Sequence, residues 1–177
     1  MKTALYTAPI EPSTRGNRRE AEIKAANRLI AEVFGVSARL SHHADGAPYI
    51  PGRPDVCISL SHCIDECILA VSDRSIGVDI ETARPMLERI APKFLTPAEQ
   101  ARGPYTLTAL MQIWTAKEAV FKCARISGLV VSGIDVSSDL SMATVCHDGA
   151  TRPFALTYPR LTATHVIALA IEASENS

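Results

Sequence analysis

The stretch SIGVDIE, residues 75–81, opens the second half of the chain and sets both its fold and its chemistry. Ile76, Val78 and Ile80 alternate with the residues between them, which is typical of a half-buried β-strand. Asp79 and Glu81 are two positions apart and therefore project from one face of that strand. Two carboxylates side by side repel each other unless a positive charge lies between them. The stretch therefore predicts a strand that carries part of a cation-binding site.

Outward from this strand, the first half of the chain predicts a strand, a helix and two further strands. TALYTAP (3–9) predicts the first strand, and RREAEIKAANRLIAEVFG (18–35) predicts a helix that ends at Gly35. The segment 36–50 predicts a strand, a turn around Asp45-Gly46 and then a short extended piece. DVCISLSH and ECILAVSD then predict two strands joined by a short connection.

The second half repeats this order. After SIGVDIE, Thr96-Pro97 is predicted to open a short helix, and LTALMQIWTAKEAVFKCARIS (107–127) predicts the longest helix, ending near Gly128. FALTYPR and HVIALAIEA then predict another pair of strands. The repeat predicts an α+β fold with a pseudo-twofold arrangement of two similar halves, each a long helix packed on a small antiparallel sheet.

Length and composition favour a single domain over residues 1–177, with pseudo-repeats of about 1–74 and 75–177. A groove between the halves is the expected ligand site. The formal net charge of −1 gives no global attraction to nucleic acid or to an anionic membrane. No apolar run approaches the ~20 residues of a membrane span, and the first residues predict no signal peptide.

The five cysteines indicate reduced thiols and a cytoplasmic location, because their number is odd and they lack paired C-x-x-C spacing. A zinc site built from His62, Cys63 and Cys67 is an alternative. It is disfavoured because a matching second pair of ligands is missing.

A third carboxylate, Glu118, lies on the apolar side of the longest predicted helix. At ~100° per residue it shares a face with Leu110, Trp114 and Phe121. An ionised carboxylate buried there without a partner is costly. One alternative is an ion pair within the helix to Lys122, with both side chains reaching out to water.

Taken together, Asp79, Glu81 and Glu118 predict an all-oxygen site for a hard cation. Such ligands suit Mg²⁺, which keeps several waters and recruits substrate phosphates, whereas zinc prefers histidine or thiolate. The alternative for the strand is a carboxylate pair that faces solvent. The three residues favour a divalent metal whose coordination is completed by a phosphate-bearing substrate.

Several segments in this order resemble the signature blocks of the 4′-phosphopantetheinyl transferase superfamily. The main blocks are SLSH (59–62), IGVDIE (76–81) and WTAKEAVFK (114–122). DGAPYIP (45–51) is similar to the family's G-K-P segment, with Ala47 where lysine is usual, and FLTPAEQ (94–100) resembles the segment before the long helix.

The resemblance implies a short variant of the surfactin-synthetase-activating type, which is a monomeric pseudo-dimer of two α+β halves. The chain is shorter than usual for that type, mostly before the first helix. Arg15, Arg18 and Arg19 are the basic residues that remain there to hold the phosphates of a nucleotide.

The implied reaction moves 4′-phosphopantetheine from coenzyme A to a serine of an apo acyl- or peptidyl-carrier protein and releases adenosine 3′,5′-bisphosphate. Asp79, Glu81 and Glu118 are implied as ligands of Mg²⁺, with Mn²⁺ as the alternative ion. Glu118 is also the candidate base for the serine proton. Lys122 is expected to contact coenzyme A and to neutralise the transferring phosphate.

Other residues are expected to bind coenzyme A or the carrier. His62, counted among the catalytic candidates, and the neighbouring Ser61 are expected to contact a phosphate. Arg19 and Arg53 are candidates for the nucleotide end, although arginines in such segments are commonly only solvated. Lys117 is expected to face another side of the helix and to help solvate or dock the carrier.

Acidic carrier proteins call for a basic and apolar docking surface. The segment RPMLERIAPKFL (84–95) and the helix end at 122–125 are the candidates, while His42 and His43 are expected to be merely solvent-exposed. A holo-acyl-carrier-protein synthase type of activity serving fatty acid biosynthesis is expected, with polyketide and peptide synthesis left open.

Three alternatives remain at this point. One is a degenerate family member that binds coenzyme A or a carrier without turnover, which Ala47 and the short N-terminal segment favour. Another is a different metal-dependent phosphoryl or nucleotidyl enzyme that uses the same three carboxylates. The last is a purely structural α+β module.

Overall fold

The computed structural model describes residues 3–12 and 17–173. The helices within these ranges are α1 (Arg18–Phe34), α2 (Met86–Phe94), α3 (Pro97–Arg102) and α4 (Leu107–Ala124), with a short 3₁₀ helix at Val131–Gly133. The strands are β1 (Thr3–Pro9), β2 (Ser41–His42), β3 (Pro48–Tyr49), β4 (Cys57–His62), β5 (Glu66–Ser72), β6 (Ile76–Thr82), β7 (Ile134–Val136), β8 (Met142–His147), β9 (Ala150–Leu161) and β10 (His165–Glu172). None of the helices in the described ranges has an apolar stretch long enough to span a bilayer.

The strands form two main antiparallel sheets that share one order. In the first sheet β5 lies between β1 and β4, and in the second β10 lies between β6 and β9, with β8 and β7 continuing the sheet. Helix α1 packs on β1 and β5, and α4 packs on β6 and β10. Each half therefore runs strand, helix, hairpin, and the hairpin's last strand pairs with the half's first. The predicted α+β fold of two similar halves is confirmed.

Local signals fix several of the predicted element ends. Gly35 follows α1 with a φ of 94°, a conformation that glycine adopts without strain. A capping box opens α3: the Thr96 hydroxyl accepts a hydrogen bond from the Glu99 backbone, and the Glu99 carboxylate accepts one from the Thr96 backbone. Helix α4 ends at Ala124, before the predicted stop at Gly128, because Arg125 adopts a left-handed φ of 51°.

The two sheets meet at β4 and β6, the edge strands of their own sheets. The Val78 backbone N–H donates to the Ser59 hydroxyl at 3.0 Å, and the Ser61 hydroxyl donates to Asp79 Oδ1 at 2.6 Å. On the other face, Ile76, Val78 and Ile80 pack in a core shared with β5 and β10. Strand β6 is therefore buried on both faces, whereas its alternation predicted one exposed face.

Gly77 lets β6 and α4 approach each other closely. A Cβ atom built on Gly77 would lie 1.8 Å from the Ala119 carbonyl oxygen and 2.8 Å from the Cys123 backbone nitrogen. Because Gly77, Asp79 and Glu81 lie two residues apart on one face, the same approach brings both carboxylates up to α4.

We expect Gly77→Ala to lower the free energy of unfolding by about 1–3 kcal/mol, since backbone atoms cannot turn away as a side chain can. Urea unfolding followed by circular dichroism measures this. Gly133→Ala is the matched control, because its Cβ would meet only side-chain atoms, the nearest at 3.7 Å. Equal stability of the two variants would contradict the close approach.

The prediction that Lys117 helps to solvate or dock a carrier is wrong. Lys117 and Glu99 are both 0% exposed, and Lys117 Nζ donates to Glu99 Oε2 at 2.6 Å and to the Phe94 carbonyl at 2.7 Å. Burial lowers the pKa of Lys117, and the adjacent Glu99 carboxylate opposes that change. Glu99 also accepts a bond from the Val136 backbone, so the pair ties α4 to α3 and β7.

Candidate active site

The site is built where β6 runs under α4. Asp79 and Glu81 are each 7% exposed, which excludes the alternative of a carboxylate pair that faces solvent. Glu118 and Lys122 lie one turn apart on the helix above them. The structure thus brings together four of the residues that the sequence singled out.

Asp79 is held by both halves of the chain. Its Oδ1 accepts from the Ser61 hydroxyl at 2.6 Å and from Lys122 Nζ at 2.8 Å, while Lys122 also donates to the Val78 carbonyl at 3.0 Å. The ammonium group of Lys122 is therefore bonded to the strand and not paired with Glu118 along the helix. Charge-assisted bonds of this kind fix the position of the lysine head group beside Asp79.

Glu81 has a separate cation that the sequence reading missed. Arg84 donates to Glu81 Oε2, and the Thr82 backbone N–H donates to Oε1 at 2.9 Å. The signal was available, since an arginine three residues after a strand-end glutamate can fold back on it. The repulsion between the two carboxylates is thus offset within the chain, since Lys122 neutralises Asp79 and Arg84 neutralises Glu81.

Glu118 differs from the other two carboxylates because no neighbouring cation is bonded to it. Within residues 3–12 and 17–173, its carboxylate makes no hydrogen bond and no ion pair. Burial raises the pKa of Glu118, the negative charges of Asp79 and Glu81 raise it further, and Lys122 lowers it. A partly buried carboxylate that faces two others has the donor chemistry that a hard divalent cation requires.

The oxygens of the three carboxylates do not all lie within 4.8 Å of one another. Asp79 is turned to Ser61 and Lys122, and Glu81 is turned to Arg84. A shared cation therefore requires the carboxylate oxygens to move closer together than they are here. The magnesium site stays a prediction.

A cavity of about 410 Å³ opens next to this cluster, between the two halves. Lys122 lines it, so the cavity and the carboxylate cluster share one cation. His42 and His43 are exposed as predicted, yet they also line the cavity. Across its mouth Arg125 Nη2 lies 2.7 Å from Asp45 Oδ2. Sequence reasoning missed this pair because its partners lie far apart in the chain.

The remaining predicted residues lie elsewhere. His62 is exposed at the end of β4, with Nδ1 3.5 Å from Glu22 Oε1. Arg53 donates to Asp55 and lies 5.6 Å from the centre of the Phe34 ring, outside the cavity lining.

At the start of α1, Arg19 is exposed. Arg18, one residue earlier, bonds to Glu22 and to the Cys63 carbonyl. Arg15, the third arginine that the sequence pointed to, lies outside the described residues.

Only part of the predicted carrier-docking segment, residues 84–95, is exposed. In α2, Leu87, Ala91 and Phe94 are buried in the core, as expected for helical spacing on a packed face. Met86 is 44% exposed, and Arg89 and Lys93 are exposed beside it. A small basic and apolar surface therefore remains on this helix.

The family match found by comparison with known proteins lies in the second half of the chain. A family model described as the 4′-phosphopantetheinyl transferase superfamily matches residues 75–174. A relative named 4′-phosphopantetheinyl transferase, from Bacillus subtilis, is 37% identical over 84 residues. That alignment covers 45% of this chain and 38% of the relative, so the chain spans well under half of the relative's length. The family match includes every residue of the β6–α4 cluster.

Proposed function

The chain belongs to the 4′-phosphopantetheinyl transferase superfamily, and on that premise we propose that it transfers 4′-phosphopantetheine from coenzyme A to a serine hydroxyl of an apo carrier protein. The observation that carries the proposal is the cluster of Asp79, Glu81, Glu118 and Lys122 beside a cavity between the two halves. The serine oxygen forms a new bond to phosphorus, and the bond to adenosine 3′,5′-bisphosphate breaks.

Glu118 is the base that accepts the serine proton. In the ion-free protein burial and the neighbouring carboxylates raise its pKa, and within the described residues it makes no hydrogen bond that it would have to give up. Lys122, held against Asp79 and the Val78 carbonyl, presents a fixed positive charge to the transferring phosphate. The two residues lie one helical turn apart and so face the same reacting group.

The three carboxylates fit a hard divalent cation by their donor chemistry. Asp79, Glu81 and Glu118 would hold Mg²⁺, with Mn²⁺ as the alternative ion. When bound, the ion would offset the charge that develops on the pyrophosphate. In the described part of the chain, Lys122 and Arg84 already offset part of the mutual repulsion of these carboxylates.

Coenzyme A occupies the cavity between the halves, where Lys122 and Arg125 supply positive charge. Arg125 comes from the end of α4 and faces the turn in which Ala47 replaces the family's usual lysine. The carrier docks on the basic and apolar surface of α2, where Met86, Arg89 and Lys93 are exposed. Both halves lie in one chain, which favours a monomer, and the free cysteines favour the cytoplasm.

We expect Arg125→Ala to raise the KM for coenzyme A about tenfold and leave kcat little changed, because a charge-assisted contact is lost while the reacting groups stay in place. Asp45→Asn should act in the opposite direction, since it frees Arg125 from its ion pair while an amide oxygen can still hold the turn through the Ala47 N–H. Steady-state kinetics at fixed carrier concentration measures both.

Arg39→Ala is the control, since Arg39 is exposed and lies outside the cavity. If Arg125→Ala and Arg39→Ala have the same KM, Arg125 does not bind the ligand.

Transfer itself is tested by incubating the protein with coenzyme A, Mg²⁺ and a panel of apo carriers, followed by intact-mass spectrometry of each carrier. A gain of one phosphopantetheine on a serine supports the proposal. The alternative, a binder without turnover, predicts tight coenzyme A binding with no mass gain on any carrier. Ala47 and the pre-formed Asp45–Arg125 pair are the observations that favour this alternative.

A further inference from the structure

A second ligand cluster lies away from the carboxylates, where the tips of two hairpins meet. Cys63 and Asp65 lie in the β4–β5 connection of the first half, and His165 begins β10 in the second. Each offers one ligand atom, and these three atoms lie within 4.8 Å of one another. Cys63 Sγ is 3.1 Å from Asp65 Oδ1, which is 3.2 Å from His165 Nε2. The zinc site weighed from the sequence consisted of His62, Cys63 and Cys67, which shares only Cys63 with this cluster.

The donor set is suited to a borderline-soft ion. Zinc binds thiolate at ~2.3 Å and imidazole or carboxylate at ~2.0–2.2 Å, and a tetrahedral ion with such bonds separates its ligands by roughly 3.3–3.6 Å. The two measured separations are slightly shorter, so small side-chain movements would admit an ion between the three groups. Mg²⁺, which requires oxygen ligands, does not fit this site.

The histidine is already oriented for ligation. His165 Nδ1 lies 3.1 Å from the Thr164 hydroxyl, which leaves Nε2 to face Asp65 and Cys63. A hydrogen bond to the second ring nitrogen is how proteins fix the tautomer and orientation of a metal-binding histidine.

Accessibility and charge also suit a bound cation. Cys63 is buried while Asp65 is exposed, so an ion can enter from solvent and reach the sulfur behind the carboxylate. The adjacent cation Arg160 is bonded to Glu66, and that pair is neutral. With a dication, one thiolate and one carboxylate, the assembly is neutral too, which limits the cost of partial burial.

Burial raises the pKa of the Cys63 thiol to about 11, so this sulfur is not a reactive nucleophile on its own. The Asp65 carboxylate contacts both the Cys63 thiol and the His165 imidazole. The arrangement therefore does not favour a direct thiolate–imidazolium pair. A metal ion would displace the thiol proton to solvent.

We propose that Cys63, Asp65 and His165 form a Zn²⁺ site, with water as the fourth ligand, that clasps the hairpin tips of the two halves together. The site is independent of the carboxylate cluster, and it links the two halves while keeping one position open to water. It joins residues that are about one hundred positions apart in the chain, as the His165–Asp65 contact shows. Bound zinc stabilises the folded state, because the three ligands are not assembled in the unfolded chain.

The test uses the full-length, untagged protein, dialysed against dilute Zn²⁺ in the presence of excess Mg²⁺. One zinc per chain is expected by elemental mass spectrometry, with a rise in Tm on zinc addition and a cobalt–thiolate charge-transfer band when Co²⁺ replaces zinc. Cys63→Ser and His165→Gln should each weaken zinc binding at least tenfold and abolish the zinc-dependent rise in Tm.

Two further variants serve as controls. Cys146→Ser removes an exposed thiol outside the cluster and should keep the full zinc content. Glu118→Gln should also keep the full zinc content. The zinc measurement therefore tests this site whether or not the chain proves to be a transferase. If wild-type protein binds no stoichiometric zinc, or Cys63→Ser and His165→Gln bind it as tightly as Cys146→Ser, the proposal is wrong.

Discussion

The Glu118→Gln variant is expected to transfer phosphopantetheine about 10²–10⁴-fold more slowly than the wild-type chain, with its fold intact. Glutamine keeps the shape of the side chain but can neither accept the serine proton nor bring a negative charge to the cation. The rate of carrier modification at saturating coenzyme A and Mg²⁺ measures the loss. A variant with near-normal turnover would show that Glu118 has neither role.

The same variant carries its own check on folding. Because the pKa of Glu118 is raised above its ordinary value of 4.5, the ionised form costs stability at any pH above the folded-state pKa. Removing that charge should therefore raise Tm at pH 7 in the absence of divalent ions, and the difference should disappear as the pH falls below 4.5. Lower activity together with a lower Tm at pH 7 would instead indicate a damaged fold.

Lys117→Met is expected to lower the free energy of unfolding by about 3–5 kcal/mol, the cost of leaving a buried charge without its partner. Glu99 remains, bonded only to backbone N–H groups of Thr96 and Val136. In a chain of this size each kcal/mol corresponds to about 2–4 °C, so Tm should fall by about 6–20 °C. Thermal unfolding by circular dichroism, with urea unfolding for the free energy, measures the effect.

Lys24→Met is the matched control, because Lys24 pairs with Glu20 on the surface, where the side chains are 74% and 64% exposed. Such a pair contributes little, so the control should change stability by less than about 1 kcal/mol. The double variant Lys117→Met/Glu99→Gln should recover part of the loss, since it removes the unpaired charge. If Lys117→Met is as stable as Lys24→Met, the buried pair does not hold α3 and α4 together.

The elements around the site were predictable because local rules govern them. SIGVDIE forms β6 as its alternation predicts, and Thr96-Pro97 opens α3 through a capping box. The repeated order of strand, helix and hairpin also emerges from the sequence, since each segment shows its own period. Strand alternation and the apolar face of the long helix supplied the grouping of Asp79, Glu81 and Glu118, the family resemblance implied the same set, and the structure brings their elements together.

The orientation of α4 was less predictable, because other elements pack on more than one side of this helix. Strands β6 and β10 cover one side, and α2, the 3₁₀ helix and β7 cover another. Lys117 is therefore fully buried, while Phe121, assigned to the apolar stripe, is 41% exposed. Glu99, in a separate helix, and the Phe94 carbonyl explain why a lysine is stable there.

The remaining features that the sequence did not predict are contacts between segments far apart in the chain. The Asp45–Arg125 pair across the cavity and the Cys63–Asp65–His165 cluster each join the two halves. No spacing rule within a helix or strand brings such residues together. The first half also lies outside the family match, so the roles of Arg19, Arg53 and His62 stay predictions.

The central claim is that Asp79, Glu81 and Glu118 share one divalent cation beside coenzyme A. A crystal structure of the protein with coenzyme A and Mg²⁺ tests it most directly. The account predicts a single ion in the β6–α4 cluster, with an oxygen of each carboxylate and of the pyrophosphate at about 2.0–2.1 Å. An ion bound to the pyrophosphate with the Glu118 carboxylate outside its coordination shell, or a pyrophosphate seated away from this cluster, would contradict the claim.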